Sequence, residues 1–227
     1  MPLMHLLNLG IHIGAGVAAI LLGLVIVATA KGTARHRRLG RVFAWLALAV
    51  SGAAITGLAL FRFLPMFAVL SVLITFQLLS GWHVIYTKAA GPNRVDALLL
   101  IVAATAATLL LPFAFGAQAR AGAAPVVLYA SLGGLAAMLL YDALRWVFPR
   151  AWHRSLWRYE HIYKLLASLF GMLSAAAGNS LKAAQPWSQV LPSVVGLVMV
   201  LWFFARNYRA QKRRAVSGEP IRLDPWR

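Results

Sequence analysis

His153-Arg154-Ser155-Leu156-Trp157-Arg158-Tyr159-Glu160-His161 is anticipated earlier in the chain by His36-Arg37-Arg38-Leu39-Gly40-Arg41, and both stretches read H-R-x-L-x-R. Each looks like a short basic loop between two long apolar runs, and the second begins 117 residues after the first. The same shift lays Ser51 on Ser168, and the apolar run around 66–87 on the one around 183–204. This spacing predicts two related three-helix units, near 6–87 and 125–205, joined by a connector near 97–117.

Composition says what surrounds these units. Of the 227 residues 61% are hydrophobic and 12% charged, and the mean hydropathy is +0.75. Such a chain is suited to lipid rather than water. Its formal charge of +17 would otherwise suggest nucleic acid. The basic residues, however, fall between runs that water does not solvate, so membrane topology accounts for them. There is no cysteine, which excludes disulfides, thiolate metal sites and cysteine nucleophiles. The first apolar run follows no basic segment and precedes no small-residue cleavage site, so it reads as a retained helix.

Crossing the hydrocarbon core takes about 20 mostly apolar residues. Seven stretches qualify, near 6–30, 42–61, 66–87, 97–117, 125–146, 160–179 and 188–205. Pro65, Pro125 and Pro192 fall at or near starts, and Pro112 lies late in the fourth run. The segments after runs one, three and five, together with the C-terminal tail, hold 18 of the 22 basic residues. The positive-inside rule therefore puts the C-terminus in the cytoplasm and the N-terminus outside. The expected fold is an all-helical bundle of seven transmembrane helices over residues 1–210, followed by a polar cytoplasmic tail over 211–227. Small residues mark close helix contacts: Gly10, Gly14 and Ala18 on one face of the first run, Ala15, Ala19 and Gly23 on another, Ala49, Ala53 and Gly57 in the second, and Ala167, Gly171 and Ala175 in the sixth. The Leu-rich fourth run reads as a lipid-facing connector.

Ionisable side chains inside spans are costly and invite functional readings. Gln77, Ser80 and His83 recur at three-residue spacing, while His161, Lys164, Ser168, Gly171, Ala175 and Asn179 form a small or polar stripe. The fifth run ends with Tyr141, Asp142 and Arg145, so that His83, His161, Asp142, Glu160 and Lys164 lie near one depth, and His36 and His153 stand just outside. One reading is a b-type haem with His83 and His161 as axial and metal ligands, His36 and His153 as substitutes, and Arg37, Arg154 and Lys164 holding propionates. A quinone-linked redox site is its near relative, with a redox or membrane protein partner. A second reading is structural: Glu160 and Lys164 pair at four residues, Asp142 and Arg145 at three, Lys164 snorkels, and the loop arginines anchor lipid phosphates. His12 reads as a hydrogen-bonded packing residue, with a quinone contact or single axial ligand as alternatives. There is no H-E-x-x-H, G-x-S-x-G or P-loop motif, and five acidic residues look too few for a proton relay.

His36 to Arg41 followed by an apolar run resembles the HRxxGR loop of an uncharacterised family of bacterial four-helix membrane proteins, a domain of unknown function. The stretch His153 to Arg158 resembles that family's second loop, HRxWxxR, with the tryptophan one place later at Trp157. Continued through Ser51-Gly52-Ala53-Ala54-Ile55-Thr56-Gly57, the first stretch is also similar to the opening span of PepSY-associated membrane reductases. That likeness implies haem-based electron transfer with His36 as a ligand. The resemblances imply a multi-pass protein of a bacterial inner membrane. The rival functional expectations are a binding or transport protein for an anionic or lipid-like substrate, with Arg154, Arg158 and Lys164 as counter-charge, and a non-catalytic assembly subunit.

Overall fold

The structure, a computed structural model, describes residues 3–115 and 125–216. Among the described residues it is all-helical, with seven long helices: α1 (Leu3–Ala28), α2 (Ala34–Leu60), α3 (Pro65–Thr87), α4 (Arg94–Phe115), α5 (Pro125–Leu144), α6 (Arg150–Ser180) and α7 (Trp187–Val216). Short 3₁₀ turns follow α3, α5 and α6. Six of these segments, all but α6, are long and apolar enough to cross a membrane. Large apolar side chains such as Ile11, Leu21, Ile101, Leu109 and Val198 point outward, as expected of a protein whose solvent is lipid.

Helices run past the apolar runs wherever capping and basic residues can continue them. Thr33 caps α2, its Oγ1 accepting from the His36 N–H at 3.1 Å, a favoured N-cap arrangement. Both H-R-x-L-x-R stretches therefore lie in opening turns of helices, not in loops: His36–Arg41 in α2 and His153–Arg158 in α6. At the other terminus α7 continues to Val216, so the first six residues expected in a polar tail are helical. The remainder of that tail lies outside the described residues. Pro65 and Pro125 open α3 and α5, and Pro192 sits in the second turn of α7.

α6 is the central element although it is the most polar. It packs against α3 and α7 and touches α1, burying Leu166, Leu169, Phe170 and Met172 against Phe43, Ala44, Ala47, Ile74 and Leu78. Small residues set the approach. A Cβ on Gly81 of α3 would stand 2.5 Å from Lys164 Cβ and Leu165 Cδ2, and one on Gly196 of α7 would stand 2.6 Å from Phe170 Cβ. On α1 only the Ala15, Ala19 and Gly23 face is used, with Ala19 and Gly23 buried. A Cβ added to Gly10 or Gly14, which were expected to pack as well, would meet nothing within 4 Å.

The two three-helix units are not packed alike. α1 runs closely along α2, but α5 lies against α3 and α4, and its backbone does not run close along α6. Long polar side chains span the space between α5 and α6. α4 joins the bundle through α3 and α5 and presents Leu98, Ile101 and Val102 outward.

Candidate functional site

Outside the tail the chain has three acidic residues, Asp96, Asp142 and Glu160, and all three meet in one buried cluster. Lys164 of α6, with 0% of its surface exposed, donates from Nζ to Asp142 Oδ1 at 2.7 Å, Asp142 Oδ2 at 3.0 Å and Ser80 Oγ at 2.6 Å. Ser80 in turn donates to Asp142 Oδ2 at 3.2 Å. Arg145, 1% exposed, donates from Nη1 to Asp142 Oδ1 at 2.9 Å and reaches Asp96 Oδ1 at 3.4 Å. Its Nε lies 3.0 Å from Glu160 Oε2. That contact is an ion pair with poor hydrogen-bond direction, since neither atom has a hydrogen-bond partner. Tyr141 closes the cluster by donating to Glu160 Oε1 at 3.0 Å.

Four helices supply these groups: Ser80 comes from α3, Asp96 from α4, Tyr141 and Asp142 from α5, and Glu160 and Lys164 from α6, with Arg145 in the 3₁₀ turn after α5. The two expected pairs are present, Asp142 with Arg145 and, at a looser 3.9 Å, Glu160 with Lys164. Lys164 does not snorkel, because Asp142 and Ser80 hold its ammonium inside the bundle. Asp96 does two jobs. Its Oδ2 accepts the Asn93 N–H at 2.9 Å while Asn93 Oδ1 accepts from Val95 N, a reciprocal cap at the start of α4. Its Oδ1 faces Arg145.

At the outer edge of the cluster stands His83. Its Nε2 lies 3.1 Å from Asn93 Oδ1 and 3.5 Å from Asp96 Oδ2, and its side chain is 18% exposed where that of Asp96 is 4%. His83 is thus the point at which the buried charges approach the surface of the bundle. Three carboxylates face two cations, leaving one negative charge. The N-terminus of α4 offsets about half of it.

His161 lies elsewhere. Its ring donates from Nδ1 to the Gly81 carbonyl at 2.9 Å, which leaves Nε2 as an acceptor. Gly81 and His83 are two residues apart, about 200° around α3. His161 therefore packs on the α6-facing side and His83 on the side facing α4. The structure does not bring these two imidazoles together. The titratable neighbours of His161 are instead Lys31 and His36, and those of His36 include His161, Lys31 and Arg37. His153 is buried against Gly91, whose φ is +82° and whose Cβ position lies 2.9 Å from His153 Cδ2. One turn on, Trp157 takes Lys88 and Arg158 against its ring at 5.9 and 5.2 Å. The second H-R-x-L-x-R stretch thus clamps the α3–α4 turn onto α6. Arg37 donates to the Gly32 carbonyl at 3.0 Å, and Arg154 is exposed. His12 shares its Nδ1 with the Val50 carbonyl at 3.2 Å, as a hydrogen-bonded packing residue would.

Lys31 caps α1 by donating to the carbonyls of Ile26, Val27 and Thr29 at 2.7, 2.8 and 3.1 Å. Partial desolvation, and then the neighbouring Arg206 charge, lower its pKa to about 8. Among the described residues no group of three or more His, Cys, Asp and Glu side chains could hold a metal ion. Asp96 is the cluster member that reading the chain missed. The usable signal was the N-x-x-D cap pattern at Asn93 to Asp96, together with the scarcity of acids. Compared with family models, curated proteins and solved structures, the chain matches none.

Proposed function

We propose that this multi-pass membrane protein is a proton-linked binding or transport protein whose working element is the buried cluster of Asp96, Asp142, Arg145, Glu160 and Lys164. One observation carries the reading: three buried carboxylates face two buried cations, and the side chain at the partly exposed edge, 3.5 Å from Asp96, is His83. Ionisable groups held inside a membrane bundle commonly mark ion or proton pathways. The unmatched charge here is negative, so the cluster favours a cation. An anionic substrate would not be met by Lys164, whose charge Asp142 already holds. Around His83 the charged and polar groups are Asp96 of α4, Asn93 capping that helix, Tyr86 of α3 and, behind Asp96, Arg145. Proton uptake by the protein in lipid nanodiscs, measured with an indicator dye between about pH 8 and pH 5, tests the idea. Both His83→Gln and Asp96→Asn, each of which removes one member of the 3.5 Å pair at that edge, should reduce the protons taken up per chain. Wild-type behaviour in both variants would refute it.

A second reading, a b-type haem or quinone site, is favoured by His161. A ring anchored through Nδ1 on a backbone carbonyl presents Nε2 in the manner of a ligand imidazole, and His36 rather than His83 is its histidine neighbour. A Soret band that shifts on reduction and is lost in His161→Ala supports this reading. A colourless protein after expression with ample haem removes its haem form.

A further inference from the structure

α7 changes character along a single face. Leu191, Val195, Val198 and Trp202, all at least half exposed, recur at four, three and four residues, and the same stripe continues as Arg206, Arg209 and Arg213, which are also exposed. At 3.6 residues per turn these seven positions stay on one side of the helix. Trp202, Arg206, Arg209 and Arg213 line a surface groove of about 510 Å³, and the Arg206 guanidinium stands 5.5 Å from the Trp202 ring centre. Lys31 enters from the α1–α2 turn with its Nζ 4.9 Å from the Phe203 ring. Neither α1, α2 nor α7 carries an acidic residue, because the three acids outside the tail are held in the interior cluster.

The order of groups along the stripe fits one kind of ligand. Tryptophan sits where hydrocarbon gives way to headgroups. Arg206 lies about 6 Å beyond it and Arg209 about 10 Å beyond it, within and just past a headgroup layer about 5–8 Å deep. We propose that this face of α7 binds an anionic phospholipid. Its acyl chains lie along Leu191, Val195 and Val198, its glycerol region lies against Trp202, and its phosphate is held by Arg206 and Arg209 with Lys31 alongside, while Arg213, about 16 Å beyond Trp202, adds positive charge farther out. Arginine suits the role because its planar fork meets phosphate oxygens in pairs. The crowding of Lys31 by Arg206, which contributes to a Lys31 pKa of about 8, is relieved when a phosphate lies between them. A free phosphate ion would use the arginines but not the apolar part of the stripe.

Thermal stability of the full chain, purified in a neutral detergent and titrated with dioleoylphosphatidylglycerol, tests the site. The wild type should be stabilised by this lipid, and not by dioleoylphosphatidylcholine or inorganic phosphate. With each basic residue worth about fivefold near an anionic surface, Arg206→Gln/Arg209→Gln/Arg213→Gln should weaken the half-saturating lipid concentration about 100-fold. Arg94→Gln/Arg150→Gln/Arg154→Gln, which removes three exposed arginines from another corner, should stay within a few-fold. So should Glu219→Gln/Asp224→Asn, which removes the tail's acids. Lipid binding retained in the α7 variant overturns the proposal, as does equal loss in the control arginine variant or saturation by inorganic phosphate. If the α7 variant is too unstable to melt cleanly, quenching of tryptophan fluorescence by brominated phosphatidylglycerol in Arg209→Gln/Arg213→Gln supplies the same comparison.

Discussion

Lys164→Met is the sharpest probe of the interior cluster. Methionine keeps an unbranched stem of similar length and removes only the ammonium, which makes short contacts to Asp142 and Ser80 and has 0% exposure. Afterwards Asp142 retains Arg145 and Ser80, and Glu160 retains Arg145 and Tyr141. The cluster's charge falls from one negative to two negatives inside a low-dielectric bundle. Breaking a buried pair in this way costs about 3–5 kcal/mol. Adding Asp142→Asn returns the charge to one negative and keeps a group able to bond Ser80, so the double variant should recover about 2–3 kcal/mol of that loss. Reversible unfolding in mixed micelles, followed by tryptophan fluorescence, measures all four members of the cycle. A loss below about 1 kcal/mol for Lys164→Met, or two substitutions whose costs simply add, would refute the charge argument.

Four further substitutions separate close contacts and buried hydrogen bonds from open faces. Gly81→Val should cost about 2–3 kcal/mol, because its Cβ would collide with Lys164 and Leu165. Gly14→Val, with nothing within 4 Å, should be near neutral in the same unfolding assay. Tyr141→Phe leaves Glu160 Oε1 without its hydroxyl donor and should cost about 1–3 kcal/mol. Gly91→Ala combines a left-handed φ of +82° with a Cβ position 2.9 Å from His153 and should cost about 1–2 kcal/mol. His153→Ala should relieve only the steric part, which the double variant's melting temperature would reveal.

The helices were readable from the chain because lipid imposes a simple rule, long apolar runs separated by basic residues. Their ends were not, because a helix stops where backbone capping stops and not where hydrophobicity stops. Capped by Thr33, α2 begins eight residues before the apolar run near 42, and basic residues carry α7 to Val216. Gly10, Gly14 and Gly23 look alike in sequence, and only the packing partner tells them apart: Gly23 meets Leu169 and Phe43, while the other two meet nothing. The candidate site was half visible. Asp142, Arg145, Glu160 and Lys164 could be paired by helical spacing. Asp96 joins them from 46 residues upstream of Asp142, a long-range contact that periodicity cannot express. The neighbours of each histidine were not legible. His83 and His161 approach opposite sides of α3, and a depth estimate carries no angle about that helix.

The polarity of α6 bears on how the chain enters its membrane. Alone at the lateral exit of an insertion channel, this segment would bring Glu160 and Lys164 toward lipid, at an apparent cost of about 2.5–3.5 kcal/mol for such a residue at mid-bilayer. Asp142 and Arg145, which neutralise them, are synthesised just before, on α5 and the turn that follows it. α5 should therefore wait at the channel until α6 emerges, so that the two leave as a hairpin with their charges already joined. Glycosylation mapping of chains truncated after α6 would show this. With Asp142 intact α6 integrates, and with Asp142→Leu it is left on the synthesis side.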